Sequence, residues 1–374
     1  MKHLKEFEDL VFERLGVPNQ TEFYVNYFLA EIKDKIFPVL KKQEKFVLET
    51  NKRLEMELRA GREPEPVAVP HEELNGKMDF TKNPDLKFDT INYKVEISFV
   101  PGTQWGDGKD VACEGAYKPE LNKAEGNYSI NISLHLQYNE NLVEKGLDGV
   151  VEEIITELSG TMYHEFNHAY EDFMRKSHGD PGLVIKGSLK NQMSSLKDYF
   201  EVPAAKQFFI LLYLSISTEM NARVPQLIPS LKNAVTTAEK IEIIKNSNQW
   251  KMNDLLLHFK ADPWLNDLAD QLSFGGLLPK QVVMREIHGT INGMMDAIDS
   301  ISSQGPEFIE HLKGITPDKQ IYNWDDLAAT YEKQAKLSKH LASRNPIEFF
   351  EYWQRVFNER GEYARRKLLR LAAY

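Results

Sequence analysis

The 374-residue chain contains a single cysteine, Cys113. A lone thiol excludes an intrachain disulfide and any cysteine-rich metal site, and it fits a chain kept in a reducing compartment. Long apolar runs are equally scarce. The longest, Phe208 to Leu214, falls far short of the ~20 residues that a membrane-spanning helix needs. No secretory leader is read at the start, because MKHLKEFEDLVFERL carries charge throughout. The expectation is a cytoplasmic protein with no membrane partner. Positive charge is also outnumbered: 46 Lys and Arg stand against 56 Asp and Glu, a formal charge of -10. Such a field repels phosphate backbones, so no nucleic-acid partner is expected. The one dense basic run is Arg355, Arg360, Arg365, Arg366, Lys367 and Arg370. At helical spacing it reads as the solvated face of an amphipathic helix.

With 42% hydrophobic and 27% charged residues, the composition is that of an ordinary globular chain. Its patterning is mostly helical. Leu4, Phe7, Leu10, Val11 and Phe12 recur at three- and four-residue steps until Gly16 and Pro18. A second helical pattern runs from about Glu22 to Arg59, with Pro38 as a place for a kink. The proline-rich stretch from Gly61 to Gly76 reads as a linker. Two strands follow by strict alternation: Tyr93, Val95, Ile97 and Phe99, then Tyr128, Ile130, Ile132, Leu134 and Leu136. Between them lies a glycine-rich loop from Pro101 to Asp110. Helices return from Leu147 to Ser177, from Pro203 to Arg223 and from Lys280 to Ser302. A last one opens on Asn345-Pro346-Ile347-Glu348, a cap followed by proline and an early acid. The expected fold is α+β and predominantly helical, with a small antiparallel sheet of two or three strands. The expected regions are 1–60 (helical), 61–90 (linker or extended), 91–232 (a mixed core) and 233–374 (helical).

Within the Leu147–Ser177 helix stands His164-Glu165-Phe166-Asn167-His168, an HExxH pattern. Residues four apart share a helix face, so both imidazoles can turn to one ion. Glu165 lies about 100° round the helix, beside that ion, where it can take a proton from a metal-activated water. The plainer reading is a pair of surface histidines spaced by chance. Zinc needs a third protein ligand. The metzincin pattern is excluded, because Glu171 and Met174 stand where it has Gly and His.

The candidate third ligand is Glu219, which follows the apolar run Phe208–Leu214. An ionised carboxylate emerging from a buried helix needs a cation or a hydrogen-bonding partner. Arg223, four residues on, could serve it as an ordinary helix ion pair. Asp180, Asp198 and Glu201 are competing carboxylates on less buried segments. Asp172, one turn past His168, is a candidate to orient a ligand imidazole or else a solvent-facing acid.

His164-Glu165-x-x-His168-Ala169-x-x-Asp172, with Glu219 on a later buried helix, resembles the gluzincin group of zinc metallopeptidases, of which thermolysin is the best known. The stretch from Tyr213 through Glu219, Asn221, Ala222 and Arg223 is similar to the second motif of HExxH proteins of bacteria and their phages. Arg223 departs from the thermolysin pattern, which has Asp at that place. The resemblance implies Zn2+ held by His164, His168 and Glu219, with Glu165 as general base in peptide-bond hydrolysis. Tyr213, Asn221 and Arg223 would lie around the third ligand, and a protein or peptide would be the substrate. Tyr213, His178, Arg223 and His288 are candidates to stabilise the oxyanion. The polar face of the Tyr128–Gln137 strand would hold an extended peptide if that strand is an edge. The alternative is a catalytically silent protein on the same scaffold, a structural or interaction component such as part of a phage particle, with a virion location. A metal-dependent hydrolase of another bond is a third reading.

Overall fold

A computed structural model describes residues 18–61, 70–83, 85–100, 109–118, 129–177, 196–232, 234–273, 276–303, 310 and 346–373. The expected first helix, the glycine-rich loop to Gly108, Tyr128, His178, Asp180 and Asn345 lie outside these residues. The architecture is α+β and mostly helical, with one four-stranded sheet among the described residues. No helix among the described residues is long and apolar enough to cross a membrane. The chain divides into two compact units, Met1–Lys118 with Glu125–Tyr170 and Pro225–Lys232, and Pro119–Ala124 with Glu171–Val224 and Asn233–Tyr374.

The first unit opens on α1, Pro18–Arg59, which buries Tyr24, Val25, Phe28, Ile32, Ile36, Val39 and Leu40 along one stripe. Pro38 does not interrupt it. Both Pro38 and Asp34 are exposed, so water can replace the hydrogen bond that proline cannot give to the Asp34 carbonyl. Four strands follow: β1 (His71–Asp79), β2 (Thr90–Phe99), β3 (Val111–Lys118) and β4 (Ser129–Tyr138). Their spatial order is β1-β2-β4-β3. The β1–β2 and β3–β4 pairs are antiparallel, but β2 and β4 run parallel, so the sheet is mixed where an antiparallel one was expected. Alternation tells which face a strand buries, not its direction. The residues between β2 and β4 leave room for β3 and a crossover.

Two strands escaped the sequence reading. β1 lies within the expected linker, and its HEELNGKMD carries polar side chains on both faces, with backbone pairing to β2 holding it. β3 reads VACEGAYK, too broken by small residues to show a clear period. The inner face of the sheet, with Ile91, Val95, Ile97, Ile132, Leu134 and Leu136, is fully buried. Phe28 of α1 meets Tyr93 edge-on at 5.2 Å, and Tyr138 donates to Gln43 at 2.6 Å. The outer face is a polar ladder in which Asn92 donates to Asn131 at 2.9 Å and Glu96 pairs with Lys94 and His135. A short helix α2 (Glu140–Glu144) leads into α3, Leu147–Ser177, which carries the HExxH pattern.

The second unit is helical: α4 (Pro203–Leu214), α5 (Ser217–Arg223), α7 (Thr237–Asn246), α8 (Asn248–His258), α9 (Ala261–Leu272), α10 (Lys280–Ser303) and α11 (Pro346–Leu371). A 3-10 turn, Pro225–Leu227, and α6, Ile228–Leu231, belong to the first. The expected helix from Pro203 to Arg223 is broken at Ser215–Ile216. The Ser215 hydroxyl donates to the Leu212 carbonyl at 2.7 Å, and Ile216 is extended. Residues that compete for the backbone, followed by a β-branched one, end the first helix there.

Aromatic packing organises this unit. Phe208 of α4 has Phe209, Phe259, Trp264, Phe349, Phe350, Trp353 and Phe357 around it, with ring centroids between 5.2 and 6.3 Å away. The α8 and α11 helices touch at their backbones. A side chain at Gly361 would begin 2.8 Å from the Leu257 nitrogen and 3.0 Å from the Asn253 carbonyl oxygen. Asn358 donates to the Leu257 carbonyl at 2.6 Å, and Arg365 pairs with Asp254 while lying 4.7 Å over Trp250.

Candidate metal centre

On α3 the apolar stripe Val150, Ile154, Leu158 and Met162 is fully buried, so the helix orientation is set before the motif is reached. Phe166 then stacks on Tyr24 of α1 at 5.4 Å, locking the turn that carries the histidines. His164 is half-buried, while His168 is 5% exposed and Glu165 4%. The two imidazoles meet at 77°, with Nε2 of His168 3.1 Å from Nε2 of His164. Two nitrogens bound to one tetrahedral zinc lie about 3.3 Å apart, given zinc–nitrogen bonds of about 2.0–2.1 Å. The pair fits a zinc ion.

Glu165 is held by the sheet. The Tyr117 backbone N–H donates to its Oε2 at 2.6 Å. One turn earlier, the Thr161 hydroxyl donates to the Cys113 carbonyl at 3.3 Å. Alternate residues of a strand point the same way, so these groups mark the side of β3 that faces away from β4. Between them lies Gly115. A Cβ there would sit 2.6 Å from Thr161 Cγ2 and 2.7 Å from Glu165 Cγ and Oε1, so only glycine lets strand and helix come this close. Burial pushes the Cys113 thiol up to about 12, which keeps it protonated and unreactive. Among the described residues β3 is an edge and β4 is interior, between β2 and β3. The expectation of β4 as an edge is thereby corrected: its alternation is that of a strand with one wet face, which interior strands share.

Glu219 is wholly buried on α5. Tyr213 at the end of α4 donates its hydroxyl to Glu219 Oε2 at 2.6 Å. Arg223 lies 3.7 Å from the same oxygen, and also donates to the Leu214 carbonyl at 3.4 Å. Burial first, and the Glu219 carboxylate next, push the Tyr213 phenol up, so it stays a donor. A hydroxyl and a guanidinium on one carboxylate fix where its oxygens lie.

One ligand atom each of His164, His168 and Glu219 lies within 4.8 Å of the others, a group able to hold a metal ion. Among the described residues no other trio of His, Cys, Asp or Glu comes together in this way. Asp172 is fully buried. The other candidates are elsewhere: Asp198, Glu201 and His288 are exposed. The backbone clamp from β3 onto Glu165 was not foreseen, and the HExxH pattern carries no signal of it. Comparison of the chain with family models, with curated proteins and with solved structures finds no match.

Proposed function

We propose that this chain is a zinc-dependent peptidase in which His164, His168 and Glu219 hold the metal and Glu165 is the general base. The observation that carries this reading is the convergence of the three ligand atoms within 4.8 Å. Zinc, when bound, supplies an acidified water and a polarised scissile carbonyl. Glu165 takes a proton from the attacking water on its carboxylate and passes it to the leaving amine. The Tyr117 N–H fixes that carboxylate, so little reorganisation is left for the reaction itself. Tyr213 and Arg223 hold Glu219 in place.

Two measurements bear on this. Purified chain is expected to carry about one zinc, as a single three-ligand site requires, and His164→Ala is expected to carry none. Peptide hydrolysis should stop with a chelator and return with zinc. A wild-type chain that takes up no zinc overturns the proposal. The second concerns the approach of strand to helix. Gly115→Ala is expected to keep its zinc but to lose about 10²-fold in kcat, because displacement of a reacting group by ~1 Å costs that much. Steady-state kinetics and zinc analysis on the same preparation check it.

A further inference from the structure

The basic run near the C-terminus does not behave as one solvated face. Arg355, Arg360, Arg366 and Arg370 are exposed, but Lys367 is only 5% exposed. Lysine is almost never buried this far without specific partners, since its ammonium gives up water. Asn221 and Tyr363 are among the partners of Lys367. Its Nζ donates to Asn221 Oδ1 at 2.7 Å and lies 4.7 Å from the centre of the Tyr363 ring. The helical projection agrees: Lys367 falls three residues after Ala364, which is buried, on the inner stripe of α11.

Asn221 stands on α5, two residues after Glu219 and two before Arg223. That helix has seven residues and no side-chain cap at its start. Helices shorter than ~12–15 residues are marginal on their own, so the register of α5 has to be set from outside. Tyr213 and Arg223 grip the Glu219 carboxylate, but both belong to the same stretch of chain as Glu219. Lys367 comes from a distant helix, one anchored in turn by the backbone contact at Gly361 and by the aromatic core.

Resting on the metal centre proposed above, we infer that Lys367 is a positioning residue: through Asn221 it sets α5 and thereby aims Glu219 at the metal. The C-terminal helix is then a working part of the site, and not an accessory. Groups that orient metal ligands typically change metal affinity 10- to 100-fold when removed.

The test uses the full chain and zinc ion alone, with affinity read by competition against a chromophoric chelator. Asn221→Leu keeps the number and branching of the side-chain heavy atoms and removes the acceptor, and is expected to weaken zinc binding about tenfold. Asn221→Asp keeps an acceptor for the ammonium and is expected to bind as the wild type does. Lys367→Met is expected to match Asn221→Leu, and the double variant to lose no more than either alone. Each is also melted in excess chelator. Asn221→Leu that melts lower but binds zinc with unchanged affinity overturns the inference, and so does equal weakening by Asn221→Leu and Asn221→Asp. Should the wild type itself take up no zinc, the metal centre fails first and the role of Lys367 with it.

Discussion

Glu165→Gln is expected to hold zinc like the wild type while losing about 10²–10⁴ in peptide hydrolysis, the range that a positioned proton-transfer group contributes. The substitution is close to isosteric. The amide oxygen of glutamine can accept the Tyr117 N–H as Oε2 does now, so the side chain keeps its place against β3. Burial also works in its favour, since a neutral amide at a site 4% exposed costs less to desolvate than a carboxylate. His164 and His168, the proposed metal ligands, are untouched on either side. What glutamine cannot do is take up a proton and release it again. Zinc analysis beside initial rates, on one preparation, gives the result. Hydrolysis at the wild-type rate would remove Glu165 from the reaction, and loss of zinc would mean that it supports the site instead of serving it.

The second large effect belongs to stability. Phe208→Ala is expected to cost about 3–5 kcal/mol, the usual range for deleting a fully buried phenylalanine. Phe208 is 0% exposed, and the rings of Phe259, Trp264, Phe350 and Phe357 that surround it come from α9, α11 and the loop after α8. They are large and interlocked, so they cannot collapse into the space that the ring leaves, and the cavity term stays near its full size. Tyr199→Ala is the matched control. Tyr199 is 79% exposed, and surface changes of this sort fall within about 0.5 kcal/mol of zero. Urea unfolding of the two variants beside the wild type checks the contrast. A Phe208→Ala loss below about 1 kcal/mol would mean that the aromatic cluster repacks around the gap.

How much of this was legible in the sequence depends on how local the cause is. The helix α3 could be read because Val150, Ile154, Leu158 and Met162 repeat on one face, and the imidazole pair follows from a four-residue spacing alone. The last helix announced itself through Pro346 and Glu348. Burial of Glu219 followed from the apolar run before it, although that run ends at Ser215 and the glutamate begins a new helix. The break depends on a serine hydroxyl turning back on Leu212, a choice that periodicity does not register. The strands β1 and β3 lacked apolar alternation, and their pairing energy is in the backbone, which every sequence shares. The direction of β4 against β2 and the edge position of β3 are matters of connection. Lys367 was read with its arginine neighbours as a wet face, when its phase relative to Ala364 already set it apart.

The mixed sheet also says something about how the chain assembles. It is two local hairpins, β1 with β2 and β3 with β4, each closing over a connection of about ten residues, for which the entropic cost of closure is small. Only the parallel join of β2 to β4 brings distant residues together, and joins of that kind form slowly. The strand that clamps Glu165 thus belongs to a hairpin that closes locally, and the join between the hairpins is the long-range step in building the sheet.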